Sequence, residues 1–413
     1  MTGSLIEELR KRDKKGLFES NDTIVSYSTG YPPIDFLNGF IYRYRDKETN
    51  EIVEKPILGI VGGTFTTFIG FSGSGKTTAA LQMGWNIVRP FENGLLIHID
   101  VEKTAIKERM LQLTGADPDD PRLILNKYNT SVEKVLETIN DIADAKEAAG
   151  DDAMYVIPKE FWKDPNKPVK MYVPTVIIID SLASFNSDGR NEEEMEGQMS
   201  AGREVAIISQ FYTKCLNKMA KYNISVFAIN HIKSKVEVNM YQKSAPQVMT
   251  MKSGESMPRG QAPVYYAQNI FRLTAKAGMR YTMEDDGFDG VCSIFQVAKS
   301  KSSFAGRELP IAFNESIGFD PIHTMYEFAC DCKLVQGRNP YLYLPGMEDM
   351  KFNRKKFRET FIKNKEFRDR FMDTLTPYMR AMITKSIDTD VNESGTDDPE
   401  TDHYVAIDTL MNQ

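Results

Sequence analysis

The octapeptide GFSGSGKT at residues 70–77 limits what this chain can fold into more than any other feature of the sequence. It satisfies the spacing G-x-x-x-x-G-K-[ST], in which glycines let successive backbone N–H groups turn inward around phosphate oxygens. A β-rich run (64–69) precedes it and a helix-forming run (78–83) follows, so the helix N-terminus would add its dipole to an anion site. We expect Lys76 to reach the β- and γ-phosphates of ATP and Thr77 to ligate Mg²⁺. The residues expected to bind ATP at this loop are Gly70, Ser72, Gly73, Ser74, Gly75, Lys76, Thr77 and Thr78.

The composition is that of an ordinary globular chain. With 413 residues, of which 41% are hydrophobic and 26% charged, it has room for one large domain with appendages or for two to three domains. It contains no apolar run near the ~18 residues of a membrane span, and its N-terminus lacks a basic-then-apolar signal. We therefore expect a cytoplasmic protein with no membrane partner. Its four cysteines are too scattered for a disulfide framework, and we favour reduced structural thiols over a metal site.

The net charge of −7 is unevenly distributed along the sequence. Residues 387–413 contain eight acidic residues and neither lysine nor arginine, so the rest of the chain carries a net charge of +1. Directly before this segment, residues 351–370 hold nine basic and three acidic residues. The asymmetry indicates a basic surface beside an acidic tail, although a solvated helix face explains the same charges equally well.

From residue 64 onward, short apolar segments alternate with helical ones. Continuous apolar strands without polar alternation are typical of a parallel sheet covered on both faces, so the fold class is predicted to be α/β with a mostly parallel sheet. The pattern predicts strands at 64–70, 95–100, 175–180 and 225–230, and helices at 76–89, 104–114, 131–149 and 199–220. It also predicts an amphipathic helix at 4–19, a long polar loop at 232–263, a β-rich region at 268–330 and helices at 350–385.

Polar residues follow three of the predicted strands. Asp180 ends a buried strand, where a carboxylate can hold the shell of a nucleotide-bound Mg²⁺. Asp100 and Glu102 end the strand before it, and they compete for the role of the base that orients water toward the γ-phosphorus. His231 follows the fourth strand; a lone histidine is more often structural, but at this position it can contact the γ-phosphate.

Taken in this order and at this spacing, the motifs resemble those of the RecA/UvsX recombinases, most closely the bacteriophage UvsX type. The resemblance spans roughly residues 28–345, and the segment 150–173 has no counterpart in it. The family carries a cis peptide bond after the aspartate of its Walker B motif. The motifs similar to those of the family are S-T-G-Y-P-P-I-D at 28–35, the phosphate loop at 70–77, I-D-V-E at 99–102, the Walker B motif I-D-S-L at 179–182, E-M-E-G at 194–197, I-N-H at 229–231, P-R-G-Q at 258–261, K-S-K at 299–301 and G-F-D-P at 318–321.

The resemblance implies a DNA-dependent ATPase that forms a helical filament on single-stranded DNA and pairs it with homologous duplex DNA in recombination and repair. ATP lies between subunits of such filaments, and single-strand-binding and mediator proteins are further partners. For a phage protein the compartment would be the cytoplasm of the bacterial host. The implied organisation is an N-terminal helical oligomerisation arm (1–27), a RecA-like P-loop ATPase core (28–345) with DNA loops near 185–203 and 232–263, a small basic α-helical C-terminal domain (346–386) and an acidic tail expected to be disordered (387–413).

The resemblance also assigns roles to individual residues. Glu102 is implied as the catalytic base, and Asp180 as a holder of Mg²⁺. Lys299 and Lys301 would reach across the subunit interface to the neighbour's ATP and stabilise charge on the γ-phosphate. His231 would order the second DNA loop when it contacts that phosphate. The residues expected to contact DNA are Arg190, Met199, Arg203, Lys233, Lys235, Lys243, Lys252, Arg259 and Gly260.

Several alternatives stay open at this point. No aromatic residue follows Glu102 where the family stacks adenine, and Arg109 is our candidate for that contact. Met and Tyr side chains of the two loops either wedge between bases or stay with the protein, mobile or packed on the loop itself; they are Met199, Met240, Tyr241, Met249, Met251 and Met257. A ring-forming RecA-fold motor of the helicase type shares the phosphate loop and Glu102, and a non-catalytic RecA paralogue that acts as a filament mediator shares the fold. The K-S-K motif at 299–301 favours the recombinase over both.

Overall fold

The computed structural model describes residues 25–45, 49–162, 166–187, 197–234, 251–252, 254–281 and 290–384. Most of the N-terminal arm, the acidic tail and much of both expected DNA loops lie outside these residues. The described residues form a mixed α/β fold around a nine-stranded, mostly parallel sheet, which confirms the predicted class. Within them, no helix combines the length and the apolar character that a membrane span requires.

The strands include five two-stranded ribbons besides the central sheet. They are β1 (Ser26–Tyr27), β2 (Phe40–Arg45), β3 (Ile52–Ile57), β4 (Ile60–Val61), β5 (Phe65–Gly70), β6 (Leu95–Asp100), β7 (Leu123–Asn126), β8 (Met154–Val156), β9 (Lys170–Tyr172), β10 (Thr175–Asp180), β11 (Ile224–His231), β12 (Lys233–Ser234), β13 (Glu255–Ser256), β14 (Asn269–Tyr281), β15 (Gly290–Ser300), β16 (Glu308–Asn314), β17 (Gly318–Phe319), β18 (Gln336–Arg338) and β19 (Tyr341–Tyr343).

The four helices predicted between residues 76 and 220 are observed with ends that agree to within three residues. The C-terminal helices begin at Phe357 rather than at 350, and the helix Pro321–Asp331 lies in the region 268–330 that was expected to be β-rich. The α-helices are α1 (Pro32–Leu37), α2 (Lys76–Val88), α3 (Lys107–Thr114), α4 (Val132–Ala149), α5 (Gly197–Tyr222), α6 (Ala262–Tyr266), α7 (Pro321–Asp331), α8 (Phe357–Lys363) and α9 (Lys365–Thr384). Short 3₁₀ turns lie at Gly150–Ala153, Lys159–Phe161, Leu182–Ser184 and Arg354–Lys356.

The central sheet has the order β17-β16-β15-β14-β5-β11-β10-β6-β7. The strands from β14 to β7 run parallel, and β15 to β17 extend the sheet as antiparallel strands. In this register Gly70 lies opposite His231, and Asp100 lies opposite Asp180. The carboxyl ends of four neighbouring strands therefore meet at one edge of the sheet, which is where open α/β sheets bind ligands.

Apolar residues cover both faces of the sheet, as the continuous apolar strands predicted. One buried cluster joins α1, α2, α3 and α7 to the face that carries Phe68 and Ile178. The other joins α4 and α5 to the face that carries Phe65 and Ile177. Because α8 and α9 contribute buried phenylalanines, among them Phe357, to the first cluster, the C-terminal helices share its apolar interior.

The segment 150–173 forms a small hairpin of β8 and β9 at the end of the sheet where β10 begins. The hydroxyl of Tyr155 lies 2.7 Å from that of Tyr27, and the Trp162 Nε1–H donates to the Ile157 carbonyl at 2.8 Å. The hairpin thus packs on the N-terminal ribbons, at the end of the sheet opposite the edge where Asp100 and Asp180 lie.

A buried lysine near the end of α4 makes stability depend on pH. The Lys146 ammonium donates to the carbonyls of Val173 and Tyr222 at 2.7 and 2.9 Å. Burial lowers the pKa of Lys146 to about 7, well below the 10.5 of an exposed lysine. Between these values the unfolded chain binds a proton that the folded chain does not, so stability should rise with pH in this window.

We compare the melting temperatures of the wild type and of Lys146→Met. The difference between them should be constant below pH 7, and it should change in favour of the wild type from pH 7 to pH 10. Calorimetry of both proteins across this range measures the effect. Lys134→Met, on the exposed side of the same helix, is the matched control and should follow the wild type. Parallel curves for the wild type and Lys146→Met would contradict the assignment.

Candidate nucleotide-binding site

Residues 70–77 form the turn between β5 and α2. Gly73 and Gly75 adopt φ values of +74° and +87°, in the left-handed region that favours glycine. A Cβ on Gly75 would lie 2.8 Å from the Phe319 ring, so a side chain at this position would also clash. No side chain caps the N-terminus of α2, which begins at Lys76. The first N–H groups of the helix are therefore free of a side-chain acceptor, an arrangement suited to a phosphate.

Lys76 lies inside this turn. Its side-chain ammonium donates to the carbonyl of Phe71 at 2.8 Å, and the residue is only 5% exposed. Burial lowers the pKa of Lys76, while the carboxylates of Asp180 and Glu102 act in the opposite direction. The ammonium is thus held near two carboxylates by a single carbonyl contact, which a phosphate oxygen can replace.

Thr77 and Asp180 face each other across the crevice. The Thr77 hydroxyl donates to Oδ2 of Asp180 at 2.7 Å. A hydroxyl and a carboxylate are the hard oxygen donors that Mg²⁺ prefers, and Mg²⁺ is usually held by one or two such groups together with substrate phosphates. In the described part of the chain, this crevice included, no three His, Cys, Asp or Glu residues gather in a metal-binding arrangement, so the remaining ligands would come from phosphates and water. The pair therefore fits a nucleotide-bound Mg²⁺.

Glu102 is the acid that points into the crevice. Its Oε1 accepts a hydrogen bond from the Ser181 hydroxyl at 2.5 Å and lies 3.3 Å from Nε2 of His231. The Glu102 side chain is 32% exposed, so water has access to it. The peptide bond between Asp180 and Ser181 is cis, as the resemblance implied. Two contacts on one oxygen fix the carboxylate and place it where it can orient a water molecule.

Asp100, the alternative base, lies on the same face of the sheet as Asp180 but is bound by its own loop. Its side chain is 1% exposed, and its Oδ2 accepts from the backbone N–H of Ala105 at 2.8 Å. The same oxygen lies 4.0 Å from Nζ of Lys127. Asp100 thus fixes the loop that follows β6, and the geometry favours Glu102 as the residue that contacts water.

Sequence reasoning missed one more polar residue near this edge, His98. It is completely buried in β6, with Nε2 3.6 Å from Oδ2 of Asp180. The signal in the sequence was a histidine in the middle of the apolar run L-L-I-H-I-D at residues 95–100.

Lys299 and Lys301 lie away from this crevice in the same subunit. Lys299 is opposite Ile270 on β14, and Ile270 is opposite Thr67 on β5. Thr67 lies three residues before Gly70, and β15 lies two strands from β5. Since strands rise about 3.3 Å per residue and lie about 4.8 Å apart, the backbone of Lys299 is about 10 Å from Gly70 along the strand direction and about 10 Å across the strands. Within one chain these lysines therefore lie toward the opposite end of β5 from the phosphate loop.

The Lys299 ammonium is bound to the backbone around the end of α6. It donates to the carbonyls of Val264, Tyr265 and Ala267, the last at 2.9 Å. Burial, with a smaller contribution from Lys301, lowers the pKa of Lys299 to about 8. Lys299 thus fixes the short helix that follows the expected second DNA loop.

Some of the residues expected to bind DNA lie outside the described part of the chain, and the others differ in their exposure to solvent. Arg190, Lys235 and Lys243 lie outside the described residues, as do the side chains of Met199 and Arg203 on α5. Lys233 on β12 and Lys252 beside β13 are exposed and accessible to a phosphate backbone. Gly260 adopts a φ of +73°, and a Cβ there would lie 2.9 Å from Val205 on α5.

Arg259 is held inside the protein, with 6% of its side chain exposed. Its guanidinium donates to the carbonyls of Leu182 and Ala183 at 2.9 and 2.8 Å, to Oδ1 of Asn186 at 2.6 Å, and to the Glu204 carboxylate. These bonds tie the end of the second loop to α5 and to the turn after Asp180. In this conformation the guanidinium is occupied by acceptors of its own chain, and its expected contact with a DNA phosphate stays a prediction.

Met251 and Met257 also belong to the interior. Both are 4% exposed and pack in a small apolar cluster with Ile69 and Ile270. Of the two roles left open for them, packing within the protein is therefore the one observed. Nearby, Arg272 and Glu255 form a buried bidentate ion pair at 2.8 and 2.9 Å, which anchors β13 to the central sheet.

Arg109 lies on α3 beside the turn between β16 and β17. Its guanidinium donates to Oε1 of Gln112 at 2.8 Å and to the Ser316 carbonyl at 3.3 Å. Gly318 begins β17 directly after this turn, and a Cβ there would lie 2.8 Å from Cγ2 of Thr78. Arg109 thus binds a turn that lies next to the first turn of α2. The expected contact of Arg109 with adenine stays a prediction.

The basic segment 351–370 is largely neutralised by the protein itself. Five of its nine basic side chains lie within 2.6 to 3.4 Å of a carboxylate oxygen. They are Arg354, Arg358, Lys363, Lys365 and Arg370. The observed pairing favours the second explanation of the charges, a solvated and internally paired helix surface, for these five residues.

All four cysteines lie in the described part of the chain, and no disulfide bond joins them there. Burial raises the pKa of Cys330 to about 11 and that of Cys332 to about 12, so both stay protonated at neutral pH.

The crevice brings together Lys76, Thr77, Glu102, Asp180 and His231 from four different segments of the sequence. Comparison with protein-family models found no match, and comparison with curated proteins found none either. Function is therefore inferred from the motifs and from the chemistry of this crevice.

Proposed function

We propose that the chain is an ATP-hydrolysing DNA recombinase of the RecA/UvsX type. It would form a filament on single-stranded DNA and catalyse homologous pairing and strand exchange. The observation that carries this proposal is the crevice itself. A lysine in a glycine turn, a hydroxyl–carboxylate pair and a separately oriented glutamate lie together there, in the arrangement that phosphoryl transfer to water requires.

In the proposed reaction the turn at 70–77 binds the phosphates of ATP, and Lys76 leaves the Phe71 carbonyl to contact them. Thr77 and Asp180 would hold Mg²⁺, which neutralises charge on the phosphates when bound. Glu102 orients the attacking water and accepts its proton. His231 contacts Glu102 and also ends the strand that leads into the second DNA loop, so it links the phosphate site to that loop.

The position of the two lysines supports a site shared by two subunits. Lys299 and Lys301 lie too far from their own phosphate loop to complete it, whereas a neighbouring copy can present them to the γ-phosphate. Charge supplied in this way stabilises the transition state of phosphoryl transfer, as arginine fingers do. Assembly and ATP turnover would then depend on each other.

Three measurements on the full chain test this function. Single-stranded DNA should stimulate ATP turnover, electron microscopy with a non-hydrolysable nucleotide should show open helical filaments, and the protein should exchange strands between a single strand and a homologous duplex. Closed rings would indicate a helicase-type motor. Turnover that DNA does not stimulate, together with a Glu102→Gln variant that behaves as the wild type, would indicate a mediator. Either outcome overturns the proposal.

A further inference from the structure

His98 is a buried polar residue that the proposed reaction leaves without a task. Its side chain is completely inaccessible to solvent, and both ring nitrogens lack a hydrogen-bond partner among the described residues. Burying a donor or acceptor without a partner destabilises a fold, and most buried polar groups in proteins are paired. A leucine or phenylalanine would fill the same space without this penalty.

The position of His98 suggests what its partner is. In the sheet His98 lies opposite Ile178, two residues before the pair Asp100 and Asp180, so its side chain is on the same face as both and deeper in the fold. Its Nε2 is 3.6 Å from Oδ2 of Asp180. Since N–H donors bond oxygen at about 2.7–3.2 Å, a shift of about half an ångström completes a hydrogen bond.

The acceptor oxygen is the one that already binds Thr77. The Thr77 hydroxyl approaches Oδ2 of Asp180 from the crevice at 2.7 Å, and His98 approaches it from the interior. Donors on two sides of Oδ2 would fix the rotation of the carboxylate and direct Oδ1 toward the crevice. Carboxylates that hold metal ions are commonly oriented by such additional hydrogen bonds.

We propose that His98 is a positioning residue that donates its Nε2–H to Asp180 and so sets the affinity of the site for Mg²⁺–nucleotide. This inference rests on the proposed function, because it assigns Asp180 to the metal. His98 contacts neither the nucleotide nor the metal, and it acts only through the Asp180 carboxylate.

Binding of a fluorescent ATP analogue to the full chain, titrated with MgCl₂, tests the assignment. In His98→Phe the Mg²⁺ concentration for half-maximal binding should rise about tenfold, since losing such a partner typically costs 10–100-fold in metal affinity. His98→Gln retains an N–H at the position of Nε2 and should restore affinity to near the wild-type value. In the presence of EDTA all three proteins should bind the analogue alike.

A spectroscopic measurement on the unmodified protein covers the case in which His98→Phe fails to fold. The chain has four histidines, and ¹⁵N-histidine spectra with His98→Gln as reference identify the signal of His98. Its Nε2–H resonance should shift downfield when MgATP is added and exchange slowly with water. If the Nε2–H resonance does not shift, or if binding by the wild type and by His98→Phe depends equally on Mg²⁺, the role of His98 is overturned and the proposed function is not. A wild type that binds no nucleotide at any Mg²⁺ concentration overturns the proposed function with it.

Discussion

Glu102→Gln should lower ATP turnover by about 10²–10⁴-fold, the usual contribution of a general base. The amide retains the shape of the side chain and still accepts the Ser181 hydroxyl, but it cannot take a proton from water. Binding of ATP and of DNA should therefore persist, and the variant should form filaments that do not disassemble through hydrolysis. Single-turnover measurement of phosphate release, beside binding of a fluorescent nucleotide, separates the two effects.

Asp100→Asn is the matched control, because it makes the same change at the neighbouring acid. Asp100 is buried, accepts from the Ala105 N–H and lies 4.0 Å from Nζ of Lys127, so it is already occupied by its own surroundings. We expect this substitution to lower thermal stability while leaving turnover within a few-fold of the wild type. The assignment of the base is wrong if Asp100→Asn abolishes turnover and Glu102→Gln does not.

Two inactive variants should recover activity when they are mixed. Lys76→Ala lacks the lysine of the phosphate loop, and Lys299→Ala lacks the lysine that we place at the neighbour's ATP. Each protein alone should be unable to turn over ATP on single-stranded DNA. In an equal mixture roughly a quarter of the interfaces join an intact phosphate loop to an intact Lys299, because subunits add head to tail. DNA-stimulated ATP turnover of the mixture measures this recovery.

The control for mixing is the double variant Lys76→Ala, Lys299→Ala. When the double variant is mixed with the single variant Lys76→Ala, no subunit has an intact phosphate loop. No site can then be complete, so turnover should stay absent. Both single variants should keep the melting temperature of the wild type to within a few degrees, which shows that folding is intact. Normal DNA-stimulated turnover by Lys299→Ala alone would refute the role across the interface.

The elements of the core were predictable from the sequence because burial on both faces leaves a continuous apolar run. This holds for β10 and β11, whose limits match the predicted strands to within one residue. Strand β7 was missed, since it lies at the edge of the sheet and its four residues are too few for a pattern. The hairpin of β8 and β9 was missed for the same reason, because its strands have three residues each.

At the candidate site, the sequence pattern predicted which residues lie at the ends of strands, but it did not predict which groups their side chains contact. Glu102 and Asp180 were expected at the crevice because parallel strands end at one edge. Asp100 is bound by the Ala105 N–H and lies near the Lys127 side chain, which is 27 residues away in the sequence. Arg259 was expected to bind DNA because a basic residue in a polar loop is usually solvated. Its acceptors lie more than 50 residues away in the sequence, and no local pattern reveals them.

The contact between Lys299 and the carbonyls around the end of α6 has a consequence for assembly under the proposed function. In the free subunit this ammonium is already satisfied, so it gains little from a neighbour that carries no nucleotide. A γ-phosphate offers a full negative charge that the carbonyls cannot match. When the lysine moves to that phosphate, it releases the backbone of the segment that follows the second DNA loop. When one subunit binds ATP, the segment after the second DNA loop of the neighbouring subunit would thus lose its contact with Lys299. Because this effect would pass from each subunit to the neighbour on one side only, it would give the filament a polarity.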